Sequence, residues 1–186
     1  MSFSSSVKNE LARIKVEENC DIVAELAGFL PMCGSLKIKQ FQAVMLYFNT
    51  ENASVARRLF TFVKRYYSEN VEVVVIKSQQ LKQTNVYQVA VNDSNAVKVL
   101  LNDLKFTKGE NVFMPNYRVN SILYGDCCKR AYIRGAFLGA GSISNPEKSY
   151  HMEFVSNSEE QSEFLSEVIN SYGFNSKIVK RNLNVQ

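Results

Sequence analysis

Two stretches of this sequence resemble each other at a fixed distance along the chain. Residues 24–36 align with residues 131–143 at a shift of 107 positions, and Cys20 matches Cys127 at the same shift. Further apolar and aromatic positions match with one residue fewer between them, such as Leu59 with Leu165 and Tyr66 with Tyr172. Two copies of one structural unit are the simplest account of this pattern.

The repeated unit is expected to contain both helices and strands. In the first copy the pattern predicts a helix of about ten residues that ends at Gly34, followed by a strand in which Leu36 and Ile38 alternate with Lys37 and Lys39. The further predicted segments are strands at 43–48, 71–76 and 86–91 and helices at 53–67 and 94–104. The second copy repeats this as a helix at 127–139 that stops at Gly141, strand at 143–154, a helix at 159–172 and strand from 177 onward. The expected fold class is α+β, with two tandem αββαββα repeats related by a pseudo-two-fold axis.

These segments divide the chain into a first repeat at 1–106, a connector at 107–126 and a second repeat at 127–186. The connector contains Gly109, Pro115 and Gly125, which are typical of irregular structure. The counterpart of the first copy's last strand and helix would fall beyond residue 186, so the second repeat is expected to be incomplete. We therefore expect this chain to be part of a longer protein.

Each copy places a glycine inside its first predicted helix. A helical glycine costs about 1 kcal/mol relative to alanine, so close packing of two backbones is expected to offset it. The small residues of the two helices would form the contact between them: Ala24, Ala27, Gly28, Ala131, Gly135 and Gly139. The alternative is that each helix packs separately on the sheet of its own copy.

These helices carry a recognisable motif. Residues 26–34, LAGFLPMCG, and residues 133–141, IRGAFLGAG, resemble the LAGLIDADG motif of homing endonucleases. With the opening SVKNELAR at 6–13 and the segment 127–138, the chain resembles the bacterial WhiA family along essentially its whole length. The resemblance implies an endonuclease-derived scaffold joined to a C-terminal helix-turn-helix domain. It further implies a cytoplasmic, nucleoid-associated regulator that binds promoter DNA and controls sporulation and cell division, with a partner protein or regulator as the other expected partner.

Nuclease chemistry in that family depends on an acidic residue near the end of each motif helix, where two carboxylates bind divalent metal. Cys33 and Ala140 occupy those positions here, and neither side chain is a ligand for magnesium. A second motif position that is often acidic holds Pro31 in one copy and Leu138 in the other, while the nearest acids, Glu25 and Glu147, cannot form a symmetric pair. We therefore predict no catalysis, no metal and no cofactor. The alternatives left open are an active endonuclease and a protein-interaction scaffold whose DNA binding lies entirely in the absent domain.

If the sheets form a saddle over DNA, outward-facing lysines of the strands would neutralise phosphates. The candidates are Lys37, Lys39, Lys77, Lys82, Lys148, Lys177, Lys180 and Arg181. The alternative is that these lysines are a solvated face that discourages edge-to-edge association.

A second basic group lies on the helix predicted at 53–67. Arg57, Arg58, Lys64 and Arg65 fall within about 120° of one another at helical spacing, opposite an apolar side that includes Tyr66. A solvated face is the expected meaning, with a protein-partner surface or a different contact with DNA as alternatives.

The cysteines do not follow a zinc pattern. The sequence has no C-x-x-C, and its single histidine is His151, so a site with Cys and His ligands is not predicted. Cys127 and Cys128 are adjacent, and we expect them to be buried packing residues rather than a redox pair.

The net charge of +4 neither identifies nor excludes a nucleic-acid binder. No signal peptide and no apolar stretch long enough to cross a membrane is present in the sequence, so no membrane partner is expected. Phosphate-binding glycine motifs are absent as well, and a small-molecule substrate is not predicted.

Overall fold

The structure, a computed structural model, describes residues 2–39, 43–77, 84–108 and 111–180. Six α-helices lie in this part of the chain: α1 Phe3–Leu11, α2 Asn19–Cys33, α3 Ala53–Tyr66, α4 Ser94–Asp103, α5 Asp126–Ala140 and α6 Glu159–Asn170. The strands are β1 Gly34–Ile38, β2 Val44–Thr50, β3 Val71–Lys77, β4 Asn85–Val91, β5 Thr107–Lys108, β6 Asn111–Pro115, β7 Gly141–Ile143 and β8 Met152–Phe154.

The first copy folds around an antiparallel sheet with the strand order β1-β2-β4-β3. Its register places Leu36, Leu46, Val91 and Val71 in one row across the four strands. Leu46 and Val91 are fully buried, and Val71 is 7% exposed, so this face of the sheet forms the core. Helices α3 and α4 contact the sheet, and α3 buries Val55, Leu59 and Val63 completely.

Local capping explains where these two helices begin. The Asn52 side chain accepts hydrogen bonds from the backbone N–H groups of Ser54 and Val55 at the start of α3. Asp93 does the same for Asn95 and Ala96 at the start of α4. Such caps satisfy N–H groups that have no partner within the helix.

The second copy repeats the order helix, two strands, helix as α5, β7, β8 and α6. β7 and β8 pair in antiparallel fashion, with Gly141 opposite Phe154, as Gly34 lies opposite Phe48 in the first copy. Helices α2 and α5 pack against each other along their length and form the most extensive helix contact in the described residues. The predicted α+β fold with two related repeats is confirmed.

Two predicted helix lengths were too short. α2 has 15 residues rather than about ten, and α5 extends over Asp126–Ala140 rather than 127–139; the glycine that follows each helix has an extended backbone. A side chain at Gly34 would collide with the backbone, because its Cβ would lie 2.5 Å from the carbonyl oxygen of Leu30.

The connector is more ordered than its composition suggested. It contains the β5–β6 pair and a 3-10 turn at Asn120–Ile122, and Val119, Ile122 and Leu123 are buried. At the other end of the chain, the strand predicted from residue 177 onward is absent from the described residues up to 180.

No helix within the described ranges has the length and apolar character needed to cross a membrane.

Candidate nucleic-acid interface

The site is built on the contact between α2 and α5, which is closest where each helix carries a glycine. A Cβ on Gly28 would lie 2.8 Å from the backbone nitrogen of Ala136 and would collide with the carbonyl oxygen of Tyr132. A Cβ on Gly135 would collide with the carbonyl oxygen of Glu25. Because both collisions involve backbone, neither glycine can be replaced without moving a helix.

The other small residues of the predicted contact lie on the same helices. Ala24 and Ala131 are fully buried, and Ala27 is 5% exposed. Gly139 faces the end of α2, where a Cβ would lie 2.8 Å from the Cβ of Met32 and 3.5 Å from the Sγ of Cys33. The C-terminal ends of the two helices therefore remain in contact.

These ends carry no carboxylate at the motif positions. The Cys33 thiol donates to the carbonyl oxygen of Phe29 at 3.5 Å, and burial raises the pKa of Cys33 to about 12. Such a thiol stays neutral at physiological pH, and its sulfur does not replace a carboxylate for magnesium, which prefers oxygen ligands. Ala140 offers a methyl group, and Leu138 is fully buried.

A cation of the chain approaches this same end. The Lys8 ammonium donates to the carbonyl oxygen of Leu138 at 3.3 Å and lies 5.7 Å from the ring centroid of Phe137. Burial lowers the pKa of Lys8, and the nearby Cys33 and Glu51 act in the opposite direction. An ammonium bound to the last turn of α5 interacts favourably with the negative end of the helix dipole and disfavours a second cation there.

A buried charged cluster joins the helix pair to α3, and the sequence analysis did not foresee it. Both carboxylate oxygens of Glu25 are hydrogen-bonded by the Arg58 guanidinium, and Oε2 also accepts from Nε of Arg134 at 2.8 Å. Arg58 further donates to the carbonyl oxygens of Ala12 at 3.1 Å and Ile14 at 2.6 Å. The available signal was Glu25 itself, a carboxylate within an apolar helix, which requires buried partners.

The predicted basic stripe on α3 is thus corrected at one position. Arg58 is 6% exposed and faces inward, because the segment after α1 covers that side of the helix. Arg57, Lys64 and Arg65 are exposed, and Lys64 forms an ion pair with Glu69 at 3.8 Å. A groove of about 620 Å³ separates this stripe from residues 12–17, with Arg13 and Lys15 on its other wall.

Lys37 lies in the edge strand β1 and Lys39 directly follows this strand. Both are exposed on the face of the sheet opposite the core. The Lys37 ammonium lies 5.0 Å from the centroid of the Tyr47 ring. On the same face, Nε2 of Gln88 donates to Oδ1 of Asn49 at 2.9 Å. This surface therefore combines two cations with polar and aromatic groups.

Lys77 does not belong to that surface. Lys77 lies an even number of residues from Val71 along β3, so both side chains point to the core face of the sheet. Lys37 follows Leu36 in β1 and points to the other face. The prediction that Lys77 faces outward with Lys37 was wrong, because the cross-strand register sets its face.

The other basic candidates are scattered. Lys148 is exposed in the turn between β7 and β8 rather than on a strand, and Lys177 is exposed after α6. Lys180 forms an ion pair with Glu159 at 2.7 Å, which raises the pKa of Lys180. Lys82 and Arg181 lie outside the described residues.

The adjacent cysteines differ from each other. Cys128 is 1% exposed, as expected for packing, whereas Cys127 is exposed, so that half of the prediction was wrong. His151 is exposed and lies 3.7 Å from a carboxylate oxygen of Glu153.

Comparison with known proteins assigns the chain to one family. Residues 19–107 match the model of the WhiA N-terminal LAGLIDADG-like domain, and residues 129–186 match the model of the WhiA LAGLIDADG-like domain. A protein named probable cell division protein WhiA from Alkaliphilus metalliredigens is 43% identical over 97% of this chain. A protein of the same name from Clostridium tetani is 41% identical over 99% of this chain. The chain spans 58% of the length of each of these relatives.

Solved structures share the fold. Full-length DUF199/WhiA from Thermatoga maritima superposes with a TM-score of 0.69 at 19% identity, covering 98% of this chain and 55% of that one. I-DmoI in complex with its target DNA superposes with a TM-score of 0.55 at 15% identity, covering 83% of this chain and 76% of that one. At these identities the likeness shows the fold alone. The two matched domain models and the curated relatives place the chain in the WhiA family, with two LAGLIDADG-like domains.

Proposed function

We propose that this chain is the catalytically inactive, DNA-binding LAGLIDADG-like part of a WhiA-type transcription regulator that acts in cell division and sporulation. The observation that carries the inactivity is the end of the helix pair, where Cys33 and Ala140 replace the acidic residues and the Lys8 ammonium binds the last turn of α5. Without a carboxylate pair, divalent metal cannot be held beside the scissile phosphates.

The proposed DNA contact is the outer face of the first sheet around Lys37 and Lys39. Both lysines are exposed, and neither has an ion-pair partner among the described residues. The neighbouring Asn49 and Gln88 offer amide groups that can hydrogen-bond to phosphate or to base edges. The partner is double-stranded DNA of promoter regions, and the proposed location is the cytoplasm at the nucleoid.

The proposed organisation follows the repeats. Residues 1–106 form the first unit, 107–126 connect it, and 127–186 form the second unit. A helix-turn-helix domain is proposed for the part of the relatives' length that this chain does not span. That domain would supply sequence readout, while the present part adds affinity through phosphate contacts that weaken with salt.

Binding and cutting are separated by one titration. A labelled duplex of mixed sequence is titrated with the chain at low and moderate salt, with and without Mg²⁺, and the DNA is then run on a denaturing gel. We expect salt-sensitive binding and intact strands. Cut strands in Mg²⁺ would overturn the inactivity, and no binding at low salt would leave a protein-interaction scaffold as the function of this part.

The location of the contact is tested by charge reversal. Lys37→Glu combined with Lys39→Glu should weaken binding by more than about tenfold, because phosphate contacts at both positions become repulsive. Lys98→Glu combined with Lys105→Glu is the matched control, since it changes net charge equally at two exposed lysines in and just after α4, which have no ion-pair partner among the described residues. Equal loss of affinity in both double variants would refute a contact at Lys37 and Lys39.

A further inference from the structure

The N-terminal end of the helix pair brings together a second group of side chains that the proposed DNA-binding role does not use. Cys20 and Asp21 lie in the first turn of α2, and Cys127 and Cys128 lie in the first turn of α5. Their sulfur and carboxylate oxygen atoms all lie within 4.8 Å of one another. Cys20 and Cys127 are equivalent positions of the two repeats, so the pseudo-two-fold packing of α2 on α5 is what places them together.

The distances within the group suit one small ion. The Sγ atoms of Cys127 and Cys128 are 3.9 Å apart, and the Sγ of Cys20 lies 3.8 Å from Oδ1 of Asp21. Zinc–sulfur bonds of about 2.3 Å in a tetrahedral site place neighbouring ligand atoms about 3.8 Å apart. The side chains therefore need only small rotations to surround a common centre.

The two helix ends also favour negative charge at this place. α1, α3, α4 and α6 each begin with a side chain that accepts hydrogen bonds from the first backbone N–H groups. α2 and α5 begin at Glu18 and Gly125 without such a side-chain cap. The partial positive charge of two helix N-termini offsets part of the cost of ionising thiols here, where burial raises the pKa of Cys128 to about 12 and the hydrogen bond with Asp21 raises the pKa of Cys127. Metal binding must therefore displace the thiol protons.

We propose that Cys20, Asp21, Cys127 and Cys128 form a zinc site that joins the first turns of α2 and α5. Three soft sulfur ligands select a thiophilic ion over magnesium or calcium. Four protein ligands close the coordination sphere, so the site is structural and joins one repeat to the other. On binding, the thiols lose their protons to solvent as the metal–sulfur bonds form, with no change of oxidation state.

This site escaped the sequence analysis because zinc patterns are defined by short spacings within one segment. Here each helix supplies two adjacent donors, and the halves are 107 residues apart. The repeat alignment contained the necessary signal, since it matched Cys20 to Cys127 directly.

Titration of the chain with Co²⁺ and then Zn²⁺ tests the proposal, after the thiols are reduced and bound metal is removed. We expect one equivalent of Co²⁺ to give the visible bands of a tetrahedral site with thiolate charge-transfer bands, and Zn²⁺ to displace it. Zinc should also raise the thermal midpoint. Absence of stoichiometric binding, or a spectrum without thiolate bands, would overturn the proposal.

Two cysteine variants make the location decisive. Cys127→Ser changes an exposed side chain and should weaken binding by more than about tenfold through loss of one thiolate. Cys33→Ser, at the opposite end of α2, should bind zinc as the unchanged chain does. Circular dichroism of both variants confirms folding. Unchanged zinc binding by Cys127→Ser would refute the proposed site. A Cys20–Cys128 disulfide, found by mass spectrometry in chain purified without reductant, would refute it as well, because these two thiols could then not bind zinc.

Discussion

The two ends of the α2–α5 pair share one helix contact but differ in the side chains that they place there. At the C-terminal end, Cys33 and Ala140 occupy the positions where a nuclease needs acids, and the Lys8 ammonium is bound there. At the N-terminal end, three thiols and a carboxylate lie within 4.8 Å of one another. A helix pair held close by glycine brings equivalent positions together at both ends, and the residues at those positions alone decide whether a metal can bind.

The middle of the helix pair is stabilised by contacts that do not involve the motif's acidic positions. Gly28 and Gly135 allow backbone contact, and Glu25 binds Arg58 and Arg134 beside that contact. These interactions link both repeats to α3 and require nothing from the motif's acidic positions. The fold is therefore maintained by features that are independent of either end.

The largest expected effect comes from removing the buried charge of Glu25, which pairs with Arg58 and Arg134 between the two ends. Glu25→Gln leaves two guanidinium groups without a carboxylate partner in the interior and should lower the free energy of unfolding by about 3–5 kcal/mol. Denaturant unfolding measures this change. Glu167→Gln, which affects an exposed pair with Arg118, is the control and should cost less than about 1 kcal/mol. Equal small losses in both variants would show that the Glu25 cluster does not hold the pair together.

The next effect concerns the glycine contact itself. Gly135→Ala forces α5 away from the carbonyl of Glu25 and should destabilise the fold by about 1–3 kcal/mol, despite alanine's better helix propensity. The same substitution at Gly125, where a Cβ would meet its nearest atom at 3.8 Å, serves as the matched control in thermal unfolding. A stabilising Gly135→Ala would contradict close helix contact.

The rates of thiol alkylation distinguish the two ends of the α2–α5 pair without any mutation. In the metal-free chain an alkylating reagent should modify the exposed Cys127 first, while Cys33 reacts more slowly because it is half-buried and its pKa is raised to about 12. Zinc should protect Cys127 and leave the slow reaction of Cys33 unchanged. Mass spectrometry of time points gives both rates, and modification of Cys33 as fast as that of Cys127 would contradict its half-buried, neutral state.

The smallest effect is a pH dependence from Cys33. Its folded-state pKa of about 12 lies above the ordinary value of 9.0, so its contribution to stability is complete below pH 9.0 and is lost as the pH rises towards 12. The unfolding free energy should therefore fall between pH 9 and 10 by less than about 1.4 kcal/mol for this thiol. Cys33→Ser should reduce the slope without abolishing it, because burial also raises the pKa of Cys128 to about 12. An unchanged slope would exclude Cys33 as a source.

The sequence predicted the repeats because their apolar and glycine positions recur at one shift, and this was enough to establish the helix pair and the first sheet. It could not assign Arg58 to the interior, because helical spacing does not reveal that residues 12–14 cover one side of α3. It also misplaced Lys77, whose face depends on the register of β3 against β4. Contacts between distant segments are what sequence periodicity leaves out.

The central claim is that metal binds at the N-terminal end of the helix pair and not at the motif end. Crystals of the reduced chain soaked with Zn²⁺ and, separately, Mn²⁺ would locate the ions by anomalous scattering. We predict a zinc peak among the sulfur atoms of Cys20, Cys127 and Cys128, and no peak of either metal beside Cys33 and Ala140. A manganese or zinc peak at the motif end, or an empty cysteine cluster, would contradict the account.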